Sequence, residues 1–378
     1  MNIRFGFVSS YPPTHCGIAT FSASLMSAIT ELDSHTASVV RLLDSPIEDV
    51  PHLGIPEIVS TIIAGDSNSI DRAITVLNSR DVAVIQHEFG IYGGQDGEDV
   101  LTLLRGLRVP SIVVLHTVLS SPTWHQRVIF TQLCRQSSAL VTMSLAARDR
   151  LVKEYAIDHR KIYVIPHGAS TKLSVESQVL AEPPMILTWG LIGPGKGIEW
   201  AIEAMGRVRD MGSPAQYVVA GRTHPKVLER NGEAYREGLQ FRIDELGLTK
   251  SIQLKADYLS DKALAELVAS ASIVLLPYDS TEQVTSGVLI EAIAARRPVV
   301  ATAFPHALEL LAEGVGIVVP HRDPDALADG MRRILHHPEV AQEMSRRAGA
   351  IASELLWPTV AVRYVGLATK LIRATAAA

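Results

Sequence analysis

A chain of 378 residues exceeds what one hydrophobic core usually supports, so two domains are expected. Hydrophobic residues at 47% and charged residues at 20% exclude a disordered chain, and no run reaches the roughly 18 apolar residues of a membrane span. A net charge of −5 argues against nucleic acid as a partner, and Cys16 and Cys134 lack the spacing of a zinc site or disulfide framework.

The opening residues, MNIRFGFVSSYPP, enter a strand-like run at once and show no signal-peptide cleavage pattern. The expectation is therefore a cytoplasmic protein, with peripheral contact to a membrane left open. Strand-like runs follow at Ile3–Ser9, Ala37–Leu43, Val82–Gln86, Ser111–His116, Leu140–Met143 and Ile162–Ile165. Helical periods such as IATFSASLMSAI and PTWHQRVIFTQLCRQ lie between them. This alternation predicts an α/β fold with a doubly wound parallel sheet, occupying residues 1–175. The polar, Pro-containing stretch Lys172–Pro184 breaks the period and reads as a linker.

Alternation restarts at Met185–Trp189 and continues through Tyr217–Ala220, Ile252–Lys255, Ile273–Pro277, Val299–Ala303 and Gly316–Val319. A second parallel-sheet domain is expected over residues 184–357. The final stretch, residues 358–378, reads as a helix with Pro358 in its first turn, where a missing amide donor costs little. It is longer than one domain needs for closure.

The stretch GLIGPGKG, Gly190–Gly197, joins a predicted strand to a helix whose apolar face is Ile198, Ala201, Ile202, Met205 and Val208. Its first seven residues fit the phosphate-loop pattern G-x-x-x-x-G-K, but Gly197 stands where a Ser or Thr would hold magnesium. No strand-borne aspartate offers a second magnesium contact. What remains is the close approach that Gly195 permits, amides at a helix start and the charge of Lys196. Together they suit a diphosphate; a glycine-rich turn with a solvated lysine is the alternative.

In PYDSTEQVTSGVLIEAIAARRPVVAT, residues 277–302, a loop with Glu282 and Gln283 leads to Thr285, Ser286 and Gly287 at a helix start, a place for phosphate oxygens. Glu291 is flanked by apolar residues about one turn in, and a carboxylate there suits a pair of sugar hydroxyls. QHEFGIYGG sets His87, Glu88 and Tyr92 after a strand, and these are assigned to the acceptor side. A structural turn with His87 bonded locally is the alternative. The acidic pair Asp323 and Asp325 precedes an amphipathic helix and reads as an N-cap rather than a metal site.

The stretches GLIGPGKGIEWAIEAM, AGRTHP, ASIVLLPY, TSGVLIEAIAARRPVVAT and GVGIVVPHRDPDALADGMRRIL occur in the order and spacing of the nucleotide-sugar domain of GT-B glycosyltransferases. The chain resembles glycosyltransferase family 4, the retaining enzymes, strongly over residues 187–335 and more loosely before. There YPPTHCGIATFSASL, VLHTV and VIPHGA are similar to the family's acceptor domain. The resemblance implies two Rossmann-like domains facing a cleft, with the C-terminal helix crossing back to the first. It also implies a nucleoside-diphosphate sugar, GDP- or UDP-linked, as donor, a carbohydrate or glycolipid hydroxyl as acceptor, and no metal or other cofactor.

On that resemblance, Lys196 holds the diphosphate, Ser286, Gly287 and Val288 donate amides to it, and Glu291 binds ribose. Gly17 lets the loop after the first strand approach, and His116 touches the donor sugar near the reacting carbon. Two departures stand out. The family's arginine is Leu191 here, with Arg222 on the neighbouring strand end as the candidate replacement. Its paired glutamates read as Gln283 and Glu291, which puts the donor sugar in question more than the activity. Tyr258 is placed near the base, and the CGIATF and HEFG stretches lean toward a mannosyl donor. A GT-B epimerase or phosphorylase, and a non-catalytic nucleotide-sugar-binding partner subunit, stay open as rivals.

Overall fold

The computed structural model describes residues 1–32, 34–45, 55, 57–173, 181–209, 215–256 and 259–377. They form two compact units, Met1–Gly168 with Trp357–Ala378, and Ala169–Leu356.

The first unit is built on seven strands: β1 (Arg4–Ser9), β2 (Thr36–Leu43), β3 (Ile58–Ile63), β4 (Val82–His87), β5 (Ser111–Leu115), β6 (Ala139–Thr142) and β7 (Ile162–Val164). They pair in parallel in the order β3-β2-β1-β4-β5-β6-β7. Every residue of β4, β5 and β6 is buried, because crossover helices cover both faces of such a sheet. Six of these strands lie where the apolar runs predict them, and β3 does not. That strand lies at the sheet edge with Ile62 its single fully buried residue, so it lacks a core strand's apolar run. The strand order reverses between β1 and β4, and in open α/β sheets ligands bind beyond the strand C-termini at such a reversal.

The second unit carries β8 (Met185–Trp189), β9 (Gln216–Ala220), β10 (Ile252–Lys255), β11 (Ile273–Leu276), β12 (Val299–Thr302) and β13 (Gly316–Val319). All pairs are parallel, in the order β10-β9-β8-β11-β12-β13, and the reversal falls between β8 and β11. Helix Ile198–Arg209 buries Ile198, Ala201, Ile202, Met205 and Val208, the predicted face, with Ala204 besides.

The domain boundaries move from their predicted places. Ala169, not residue 176, begins the departure from the first unit: Ala169 N donates to Leu355 O at 2.7 Å, and Leu173 packs into the second unit's core. Of the predicted linker Lys172–Pro184, residues 174–180 lie outside the described residues. The closing helix starts at Trp357 and runs to Ala376. It belongs to the first unit, where Trp357, Val360, Ala361, Tyr364, Leu367 and Ala368 join the core around Phe5, Phe7 and Phe21. This explains its length. Among the described residues no helix is long and apolar enough to cross a membrane.

Candidate active site

The loop after β8 and the loop after β11 border the reversal point of the second sheet, and they are tied together. Asp279 N donates to Gly195 O at 3.0 Å, and Asp279 Oδ1 accepts from Trp200 Nε1 at 3.1 Å, which pins both loops to the first turn of the following helix. Arg322 Nε lies 3.3 Å from the other carboxylate oxygen. Gly197 has φ +64°, and a Cβ there would sit 1.8 Å from Pro277 O. No Ser or Thr fits, so the hydroxyl that a triphosphatase needs on magnesium is sterically excluded.

Lys196 is half-buried, with its ammonium 4.4 Å from the centroid of Tyr278. Among the described residues it has no carboxylate partner, so its charge stays available to an anion. Gly195, with φ +87°, is exposed beside it. Arg222 lies just past β9 and is exposed, and its carbonyl accepts from Ile192 N at 2.8 Å. The backbone carrying Leu191 is thus paired with the backbone carrying the candidate replacement.

Helix Gly287–Ala294 opens at the same sheet edge, with Ser286 as N-cap: Ser286 Oγ accepts from Leu289 N at 3.2 Å. One predicted phosphate contact is corrected here. Ser286 N donates to the buried His306 Nδ1 at 2.9 Å, so that amide is already used. The amides of Gly287 and Val288, in the first helical turn, have no acceptor among the described residues. Two unused donors remain at this helix start. Gln283 Nε2 donates to Thr285 O at 3.1 Å, which ties its amide into the loop. Tyr258 lies outside the described residues.

Glu291 is half-buried one turn into this helix, and its Oε2 accepts from Trp189 Nε1, the last residue of β8, at 3.0 Å. Burial lifts its carboxyl from 4.5 to about 7; the Trp189 bond works against the shift and Asp261 adds to it. Since the folded chain binds this proton more tightly, the stability gained is full below the unfolded value and is lost as pH rises through about 7. Affinity for a ribose-bearing ligand runs the other way, because the ionised carboxylate accepts hydroxyl bonds better. Nucleoside-diphosphate affinity is expected to rise between about pH 6 and pH 8, and Glu291→Gln is expected to remove that rise. Calorimetric titration of both proteins checks it, the ligand's own ionisation being common to the two.

In the first unit, Gly17 opens helix Gly17–Thr30 behind β1, and a Cβ at Gly17 would meet nothing within 4 Å. His116 follows β5, half-buried, with Nε2 2.7 Å from Gln86 Oε1 and its ring edge-on to Phe21 at 5.0 Å. Burial, then the nearby His167 and His87, push its pKa down to about 3 and keep it neutral.

The acceptor assignment of His87 and Tyr92 is corrected. Strand β4 runs one residue further than predicted and carries His87 into the core, 0% exposed, among Phe89, Tyr92 and Phe130. Tyr92 is buried too, its hydroxyl donating to Gln86 O at 2.7 Å. Glu88 is half-buried and closes the turn, Oε2 accepting from Gly90 N at 2.8 Å. Accessible groups near this loop lie elsewhere than predicted: His125 Nδ1 sits 2.9 Å from Asp96 Oδ2, and Trp124 is 78% exposed. Also unforeseen were Trp189, Tyr278, Asp279 and His306, which orient the second unit's site. The acidic pair behaves as expected, Asp323 Oδ1 accepting from Ala326 N at 2.9 Å as an N-cap. Among the described residues no three His, Cys, Asp or Glu side chains are grouped to hold a metal.

Residues 84–173 match the model of Glycosyltransferase Family 4, and residues 170–350 match that of Glycosyl transferases group 1, so the two matches run on without a gap. The chain is a GT-B glycosyltransferase of the family 4 type. This glycosyltransferase is 25% identical over 229 residues to the alpha-D-kanosaminyltransferase of Streptomyces kanamyceticus, covering 57% of this chain and 56% of that one. It is 27% identical over 250 residues to the MMP alpha-(1->4)-mannosyltransferase of Mycolicibacterium hassiacum, covering 65% and 57%. The matches thus span little more than half the length of these curated relatives. Among solved structures, the Anabaena protein HepE in complex with UDP and glucose superposes with a TM-score of 0.76 at 15% identity, covering 98% of this chain and 100% of that one.

Proposed function

We propose that this glycosyltransferase moves a hexosyl group from a nucleoside-diphosphate sugar to an acceptor hydroxyl with retention at the anomeric carbon and without a metal. The bond between that carbon and the diphosphate oxygen breaks, and the acceptor oxygen bonds to the same face. The acceptor's proton passes to the departing phosphate. Charge released on the diphosphate is met by Lys196, by the Gly287 and Val288 amides and, as the replacement for the missing arginine, by Arg222. Glu291, aimed by Trp189, holds the ribose hydroxyls, and neutral His116 contacts the donor sugar.

One observation carries this reading: a lysine without a carboxylate partner and two unused helix amides occur at the same strand reversal, with a half-buried carboxylate one turn further. A diphosphate followed by a ribose needs that sequence of groups. The mannosyltransferase relative supports a mannosyl donor, while the complex of HepE with UDP and glucose supports a uridine nucleotide as the other candidate. Incubation with UDP- and GDP-sugars and a panel of acceptors is expected to release nucleoside diphosphate and form an α-linked product from an α-donor, unaffected by a chelator. Inverted product, or an isomerised sugar formed without acceptor, would contradict the reading; the second outcome is that of an epimerase. Binding without turnover across the panel would favour the partner-subunit reading.

A further inference from the structure

Gln86 is fully buried, and no role assigned above uses its side chain. Its backbone is held on both sides. Its carbonyl accepts the buried Tyr92 hydroxyl at 2.7 Å, and β4 pairs with β5 with Gln86 opposite Val114 and His87 opposite Leu115. One step on, His116 N donates to His87 O at 3.0 Å, so strand pairing itself sets the separation of Gln86 and His116. The two side chains meet at 2.7 Å, carboxamide oxygen to imidazole Nε2. With the carboxamide oxygen toward the ring, the orientation that leaves the buried Gln86 Nε2 without a partner, His116 Nε2 carries the proton and Nδ1 keeps its lone pair.

The groups facing this ring are few. Phe21 meets it edge-on at 5.0 Å, and Phe21 in turn meets His167 at 5.0 Å and Trp357 at 5.1 Å. The titratable neighbours are His167, whose Nδ1 lies 2.7 Å from Gly168 O, and His87. Burial pushes both down, to about 4 and about 3, so neither supplies a charge near neutral pH. No carboxylate pairs with His116 among the described residues.

We propose that Gln86 is a positioning residue that locks His116 as the neutral Nε2–H tautomer, so that Nδ1 accepts a hydrogen bond from a donor-sugar hydroxyl. The identity of the ligand rests on the glycosyl-transfer reading; the tautomer does not.

The test uses the full chain with 15N-labelled histidine, the His116 signals being assigned by their loss in His116→Gln. Nitrogen NMR from about pH 5.5 to pH 8 is expected to show protonated Nε2, bare Nδ1 and no titration. Proton on Nδ1, the outcome if the Gln86 amide is turned end for end, or two exchanging tautomers, overturns the proposal whether or not any transfer is found. For activity, Gln86→Leu is expected to lower kcat/KM by about 10–100-fold at every pH, with nucleoside-diphosphate affinity unchanged. Gln86→Glu keeps the acceptor at Nε2 but raises the affinity of His116 for a second proton. It is expected to be impaired at acid pH and to recover toward the parent rate as pH rises, a profile a merely structural role does not give. Full activity in Gln86→Leu overturns the proposal; a Gln86→Leu chain that does not fold leaves the tautomer measurement to decide.

Discussion

Lys196→Ala is expected to lower kcat/KM for sugar transfer by about 10²–10³, the usual effect of removing one donor aimed at developing negative charge. The lysine suits this test because little else depends on it. Its ammonium rests over Tyr278 at 4.4 Å and has no carboxylate partner among the described residues, so truncation leaves no buried counter-charge stranded. Losing a half-exposed cation–π contact costs about 0.5–1 kcal/mol, too little to unfold the unit. Nucleoside-diphosphate affinity falls with the activity, and circular dichroism and the melting curve stay close to the parent. Lys196→Arg restores part of the rate, since a charge returns but on a planar fork rather than a compact ammonium. A variant that turns over normally removes Lys196 from the mechanism.

Gly197→Ser is the second large effect, and it addresses the phosphate-loop pattern directly. Read as a motif, the change completes G-x-x-x-x-G-K-S and ought to create a magnesium-dependent triphosphatase. Read from the structure, it does the reverse. The residue has φ +64°, where a side chain is strained, and the new Cβ would lie 1.8 Å from Pro277 O. Relief requires parting the loops that the Asp279 to Gly195 bond holds together. The substitution is expected to destabilise the second unit by more than about 3 kcal/mol and to abolish diphosphate binding without any gain in nucleotide hydrolysis. Urea denaturation and a phosphate-release assay with magnesium and ATP check both halves. A stable variant that hydrolyses ATP would show that the loop tolerates the hydroxyl.

How much of this was legible from the residues depended on whether the deciding partner was near in sequence. Core strands such as β4, β5 and β8 announce themselves as apolar runs because helices cover both faces, and edge strand β3 does not. The glycine and lysine loop after β8 was legible because Gly195, Lys196 and Gly197 are adjacent. The Ser286 amide was misread because its acceptor, His306, sits 20 residues on, and no spacing rule reports which nitrogen faces an amide. His87 failed by a single residue of strand length: QHEFG looks like a polar loop, yet burial swallows the histidine. Glu291 stands out in the sequence by its apolar flanks, but its bond to Trp189 joins residues 102 apart. The shift of the domain boundary to Gly168 likewise follows from Ala169 bonding to Leu355.

The central claim is that the second unit grips a nucleoside diphosphate at the tips of β8 and β11. A crystal structure of the chain with whichever of UDP or GDP raises its melting temperature tests this most directly. The account predicts phosphate oxygens within hydrogen-bond reach of the Gly287 and Val288 amides and of Lys196 Nζ, with ribose hydroxyls on Glu291. A nucleotide bound elsewhere, with those amides and the lysine facing only solvent, would contradict it.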